Sequence, residues 1–158
     1  MNAVPQLVSA PIDLKDPSVY GHLTHETLRF GDVDSNGHIN NVAFLVLFEN
    51  ARVSYFVQHL KFMRARGLSS VVAHLDIDFR RQMFYPGTVR AGARLIEVRR
   101  SSFVLGQAIF DQDGHCAAAG HAVIVAYDPA SGRGQPIPDE VRRDLVRIAG
   151  SPTGVSTS

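Results

Sequence analysis

The chain runs to 158 residues, 45% hydrophobic and 20% charged, with 16 basic and 15 acidic residues and a formal net charge of +1. That length and composition suit one globular domain with its own core, and exclude a disordered chain or a fibrous repeat. The charge balance excludes a bulk pull toward nucleic acid or an anionic membrane, and a lone cysteine, Cys116, excludes an internal disulfide or a cysteine-rich metal centre.

Residues 1–18 contain prolines and no clear period, and read as an extended N-terminal arm. There is no basic start followed by an apolar run, and no stretch of about 20 apolar residues, so a cytoplasmic protein is expected. One domain is expected over residues 19–150. His22 to Phe30 alternates and predicts a first strand. Gly31 to His38 is dense in turn formers and predicts a loop. Asn40 or Asn41 is placed to cap the following helix, because a short polar side chain there accepts from the orphan backbone N–H groups. Val42 to Met63 holds no Gly or Pro and is apolar on nearly every side, which predicts a long helix buried on several faces. Arg64 to Arg66 and then Gly67 suit its C-terminus.

After Gly67 the period changes to two. Val71, Ala73, Leu75, Ile77 and Phe79 are expected on one face of a strand, and His74, Asp76, Asp78 and Arg80 on the other. Tyr85-Pro86-Gly87 turns the chain. Thr88 to Val98 predicts the next strand, with a bulge near Leu95-Ile96 where the alternation falters. Phe103 to Phe110 and Cys116 to Tyr127 predict two more, joined by a hairpin at Asp111-Gln112-Asp113-Gly114. Asp128 to Pro138 is irregular, Asp139 is expected to cap a helix from Glu140 to Ala149 that Gly150 stops, and residues 151–158 read as a disordered tail. A helix followed by a run of strands predicts an α+β fold, in which a curled antiparallel sheet of about five to six strands surrounds one long buried helix. The exposed sheet edge must then be covered, or paired with another copy.

The segment Arg29-Phe30-Gly31-Asp32-Val33-Asp34-Ser35-Asn36-Gly37-His38-Ile39-Asn40-Asn41, with Phe44, Phe48, Glu49, Ala51 and Arg52 after it, carries a recognisable pattern. It resembles the hotdog-fold acyl-CoA thioesterases of the 4-hydroxybenzoyl-CoA thioesterase type, whose theme is Asp-x-Asp-x-x-Gly-His-x-Asn-Asn ahead of a helix bearing an aromatic and Glu-x-Ala-Arg. The resemblance spans Leu23 to Tyr127. It implies hydrolysis of an acyl thioester to free acid and coenzyme A. It also implies a homodimer or homotetramer with each site formed between subunits, and no metal or cofactor beyond the coenzyme A that the substrate brings. In that family the second Asp of the pair is the catalytic carboxylate, which here is Asp34. The run Asp34-Ser35-Asn36-Gly37-His38 also resembles the Asp-x-Asn-x-His arrangement of plant acyl-carrier-protein thioesterases, which points to the same residue.

Thioester hydrolysis needs a nucleophile or base and donors for the oxyanion. Asp34 suits either role, and the sequence leaves both open. Asn36 is a candidate to orient water or the carboxylate, and His38 to donate to the oxyanion or handle a proton. The rival role for His38 is to hold the loop through backbone hydrogen bonds. Backbone N–H groups near Asn40 to Val42 point outward at the positive end of the helix dipole and are candidate oxyanion donors. Asn41 belongs to the same catalytic set, although capping is the plainer role for both asparagines. Gly37 leaves room for substrate beside the backbone. Asp32 is expected to brace the loop, and Glu49 with Arg52 to form an i,i+3 ion pair. Phe44, Phe48, Tyr55 and Phe79 are candidates to line the acyl group. Arg80, Arg81, Arg99 and Arg100 are candidates to hold the phosphates of coenzyme A, against the plainer reading of solvated strand ends. His121 reads as a satisfied sheet histidine. Asp32, Asp34 and His38 match no common zinc spacing, so no metal is expected. The competing readings are a non-catalytic acyl-binding hotdog protein and a hotdog dehydratase or hydratase; no nucleic-acid or membrane partner is expected.

Overall fold

A computed structural model describes residues 11–155 of the chain. In chain order these form β1 (Leu23–Thr27), α1 (Asn41–Tyr55), α2 (Lys61–Ala65), β2 (Ser69–Phe79), β3 (Thr88–Val98), β4 (Ser102–Phe110), β5 (Cys116–Asp128), β6 (Arg133–Gly134) and α3 (Asp139–Ala149). The strands make one antiparallel sheet in the order β1-β3-β4-β5-β2, with the short β6 also on β5. Its inner face packs on α1. Phe44, Leu47, Phe48, Ala51 and Tyr55 meet Leu95, Phe103, Leu105, Ile109 and Ile124 in the main core. This is the expected α+β arrangement of one long helix held in a curled sheet. Among the described residues no helix is long and apolar enough to cross a membrane.

Asn40 is the cap of α1: its side chain accepts from the Ala43 amide at 2.9 Å, which makes Asn41 the first helical residue. The predicted helix continues beyond α1 through a π turn, Phe56–Leu60, into α2. It stops where expected. Gly67 takes φ of +75°, its amide donates to Arg64 O at 3.0 Å, and the Leu68 amide donates to Met63 O at 2.9 Å, which closes a Schellman motif. The hairpin at Asp111–Gly114 and the bulge between Leu95 and Glu97 also fall where the sequence put them.

The face assignment of β2 is corrected. A second bulge lies between Val72 and His74, so Ala73 is an inserted residue and the alternation changes phase across it. Val72, Leu75, Ile77 and Phe79 pair opposite the inward residues of β5, whereas Val71 joins His74, Asp76 and Asp78 on the outer face. Only β5 pairs with β2 among the described residues, so the other edge of β2 is open. The helix is corrected too. One stripe of α1 and the π turn (Val42, Leu45, Val46, Val53 and Val57) is exposed, as are Val72, Leu75 and Phe79 of β2. Only the sheet-facing side of the helix is buried within the chain.

Three terminal expectations change. Pro138, not Asp139, precedes α3, and Asp139 and Glu140 instead sit in its first turn, where the helix dipole favours acids. Residues 151–155 are packed rather than disordered. The buried Arg94 guanidinium donates to Ser151 O, Pro152 O and Val19 O, and the Tyr55 hydroxyl donates to Gly154 O. Residues 156–158 lie outside the described residues, as do 1–10 of the expected arm. Residues 11–18 are not simply extended: Pro17–Val19 forms a 3-10 turn, and Leu14 and Tyr20 cover the outer face of the sheet beside Phe110 and Ala108.

At the π turn, His59 packs against Tyr55 with ring centroids 5.2 Å apart, and the ring of His22 lies 6.4 Å away. Burial, and then the His22 ring, hold His59 below the ordinary imidazole value of 6.5. A histidine lowered in the folded state binds its proton more readily when unfolded. Stability is therefore full above the unfolded value and falls as pH drops through 6.5 toward the lower folded value. Urea unfolding at about pH 7.5 and about pH 5.5 is expected to show a lower midpoint at the acid pH, with the difference reduced in His59→Asn.

Candidate active site

The register gathers one set of strand ends. Thr27 pairs Thr88, Arg90 pairs Phe110, Phe110 pairs Cys116 and Phe79 pairs Ala118, so the C-termini of β1, β2 and β4 and the N-termini of β3 and β5 share one end of the sheet. The loop from β1 into α1 lies at this end. Its stem is the Val33–Ile39 bridge. Asp32 braces it: the carboxylate accepts from the Arg29 amide at 2.8 Å and the Arg29 guanidinium at 2.9 Å, while Asp32 O accepts from the Asn40 amide at 2.8 Å. Burial pushes the Asp32 carboxyl up, but the bonds to Arg29 outweigh it and hold it below the ordinary carboxylate range.

Asp34 is half-buried inside this loop. Its Oδ1 accepts from the Asn36 amide at 2.8 Å and the His38 amide at 3.1 Å, while its own amide donates to His38 O at 2.8 Å. The turn closes through Gly37, whose φ of +80° suits glycine and whose surroundings are open. No hydrogen bond to Asp34 Oδ2 occurs among the described residues. At the mouth of α1, the Ala43 amide is taken by Asn40, whereas the Asn41 and Val42 amides begin the helix with no carbonyl one turn earlier to receive them. The side chains of Asn36 and Asn41 are exposed at the surface.

The link from β2 to β3 forms the other wall, and the sequence had marked it only as a turn. Met83 O accepts from the Ile39 amide at 2.9 Å. Three edge-to-face pairs join this wall to the loop and helix: Phe79 with Phe44 at 5.3 Å, Phe84 with His38 at 5.3 Å, and Tyr85 with Phe30 at 5.9 Å. The ring of His38 thus faces Phe84, while its backbone amide serves Asp34.

A family model described as the thioesterase-like superfamily matches residues 28–145 of the chain. The chain belongs to the thioesterase-like superfamily. The uncharacterized protein YsmA of Bacillus subtilis (strain 168) is 28% identical over 120 residues, covering 76% of this chain and 82% of that one. A thioesterase from Thermus thermophilus, crystallised with coenzyme A and zinc, aligns with a TM-score of 0.69 at 30% identity, over 82% of this chain and 95% of its own. YbaW, a probable thioesterase from Escherichia coli, aligns with a TM-score of 0.70 at 23% identity, over 78% of this chain and 95% of its own, a likeness of fold. The fold is the hotdog fold that the sequence motif implied.

Within this thioesterase-like chain the remaining candidates divide. Phe44 and Phe79 touch each other near the site, and Arg80 and Arg81 follow β2 at the same end, exposed. Phe48 and Tyr55 are core. Each is 1% exposed, and the Tyr55 hydroxyl also accepts from the Leu95 amide at 3.0 Å. Arg99 and Arg100 lie beyond the far end of β3, 11 residues or about 36 Å along the strand from its start. Arg99 is also tied to Glu97 at 2.8 Å, so within one chain neither arginine is placed at the Asp34 loop. The expected Glu49–Arg52 pair is replaced: Arg52 is buried and donates to Gln107 Oε1 at 3.0 Å, while Glu49 is exposed among the valines of α1. His121 pairs with Asp76 at 3.0 Å across β5 and β2.

Two further groupings stand apart from Asp34. Asp111, Asp113 and His115 on the β4–β5 turn offer ligand atoms within 4.8 Å of one another, but Asp111 Oδ1 already accepts from the Asp113 and His115 amides at 3.0 and 2.9 Å. A groove of about 600 Å³ opens between the π turn and the start of β2. Phe56, Leu60, Met63 and Leu68 line it, together with Lys61 and Arg64.

Proposed function

We propose that the chain hydrolyses acyl-CoA thioesters, with Asp34 as the reacting carboxylate. The observation that carries this reading is the setting of that carboxylate. Two backbone amides fix Oδ1, and Oδ2 is left for the substrate beside the open N-terminus of α1. As a base, Asp34 takes a proton from a water whose oxygen attacks the carbonyl carbon. As a nucleophile, Oδ2 attacks that carbon and forms a mixed anhydride that water then cleaves. In both routes the carbonyl oxygen gains charge near the Asn41 and Val42 amides, the C–S bond breaks, and the sulfur leaves as the coenzyme A thiolate. The coenzyme A in the Thermus thermophilus relative supports that carrier. Thiol release from a panel of acyl-CoAs tests the reading. Turnover of one acyl class is expected, and coenzyme A binding without turnover of any would favour the acyl-binding alternative.

The working unit in this reading is a dimer paired through the open edge of β2. The exposed valines of α1 and the exposed Val72, Leu75 and Phe79 of β2 leave apolar surface that water disfavours. Antiparallel two-fold pairing of β2 sets the Ser69 end of one copy against the Phe79 end of the other. The groove at Leu60, which lies far from Asp34 in its own chain, then opens toward the partner copy's site and is suited to the acyl chain. Light scattering is expected to give a dimer or a higher even assembly, and Val53→Lys with Val72→Lys is expected to give a monomer with at least tenfold lower turnover. A monomeric wild type would remove the shared groove from the scheme.

A further inference from the structure

Phe30 is 78% exposed and Tyr85 44% exposed, yet their rings meet edge to face, with planes at 79°. Two large rings held together in water on loops gain little from the fold, and a contiguous exposed apolar patch marks a surface that can take a ligand. Their position narrows the partner. Phe30 lies between β1 and Asp34, and Tyr85 lies just before β3, so both sit at the Asp34 end of the sheet. β1 and β2 are at opposite ends of the strand order, so pairing through the edge of β2 does not use the edge of β1. Beside Phe30, the Arg29 guanidinium is held by Asp32 at 2.9 Å while the side chain stays 73% exposed, which fixes a planar cation next to an exposed ring. An aromatic face, a fixed guanidinium and continuity with the reacting carboxylate together fit a purine nucleotide that carries phosphate.

We infer that Phe30 and Tyr85 form a stacking platform for the purine base of the coenzyme A thioester, with Arg29 facing its phosphates. This inference rests on the acyl-CoA reading above and assigns the nucleotide end of the same substrate. The acyl group and the nucleotide then leave Asp34 in opposite directions, the first toward β2 and the partner copy, the second toward β1 and solvent. Phe79 and Phe44 serve the first direction, Phe30 and Tyr85 the second.

Calorimetric titration of the full-length protein with coenzyme A, adenosine 3′,5′-bisphosphate and pantetheine tests this without needing turnover. For Phe30→Ala and Tyr85→Ala, binding of coenzyme A and of the bisphosphate is expected to weaken about tenfold, the size of one lost base–aromatic stack, with pantetheine binding unchanged. Phe30→Trp is expected to restore it. Both alanine variants are expected to stay folded, since the rings are exposed. Equal weakening for pantetheine would place the rings on the thioester arm and overturn the assignment, as would unchanged binding of all three ligands. A wild type that binds coenzyme A but not the bisphosphate would do the same. If the platform binds nucleotide yet no acyl-CoA is hydrolysed, the enzyme reading fails and the subsite stands.

Discussion

Asp34→Asn is expected to lower thioester turnover by about 10²–10⁴-fold, the usual loss when a positioned base or nucleophile is removed. Asparagine keeps the shape of the side chain and an oxygen that can still accept from the Asn36 and His38 amides, so the turn through Gly37 is retained. What disappears is the charge at Oδ2, the one part of the group that the loop does not use. The two readouts should therefore separate. kcat, measured by thiol release, should collapse, while the thermal midpoint stays within a few degrees of wild type. A drop below tenfold on a good substrate would remove Asp34 from the chemistry. His38 is expected to behave differently, because its backbone amide rather than its ring holds Asp34, and its ring rests on Phe84.

The sequence revealed those parts of the molecule that local rules govern. Gly67 ends the helix because a left-handed residue is needed there. The Asp111–Gly114 hairpin closes through the carboxylate of Asp111. The Leu95–Glu97 bulge is visible as a lapse in alternation. The motif led to Asp34 because the contacts of that carboxylate run to residues only two and four positions away. What stayed hidden depends on distant partners. The bulge at Ala73 was invisible because Val71, Val72 and Ala73 are all apolar, so the run fits an alternation of either phase. Arg52 is three residues from Glu49, a spacing that predicts a pair, but the buried Gln107 of β4, itself bonded to Phe48 O at 2.9 Å, captures the guanidinium. Residues 151–155 looked disordered because their side chains are small, yet they pack through backbone carbonyls that Arg94 collects. Phe84 and Tyr85 joined the site only when the link between β2 and β3 met a loop far earlier in the chain.

The two phenylalanines Phe48 and Phe79 show why a list of apolar residues cannot assign an acyl pocket, and substituting each should give opposite results. Phe48 is 1% exposed in the middle of α1, packed toward the sheet, and its carbonyl receives Gln107. Phe48→Ala removes a ring from a site with no route for solvent to fill, so the cost is the lost transfer energy plus the cavity left behind, about 3–5 kcal/mol. That is a large part of the stability of a domain of this size, and urea unfolding should show a much lower midpoint. Phe79 is 54% exposed at the end of β2, with its ring edge to face with that of Phe44. Phe79→Ala should cost under about 1 kcal/mol in the isolated chain, as substitutions of exposed residues do. In the enzyme reading it lies where the acyl group passes toward the partner copy, so its effect should appear as a higher KM for longer acyl chains. A Phe48→Ala variant as stable as wild type would mean that the core closes over the missing ring. A Phe79→Ala variant with unchanged KM across acyl lengths would move the acyl path off the β2 edge and onto another wall of the site.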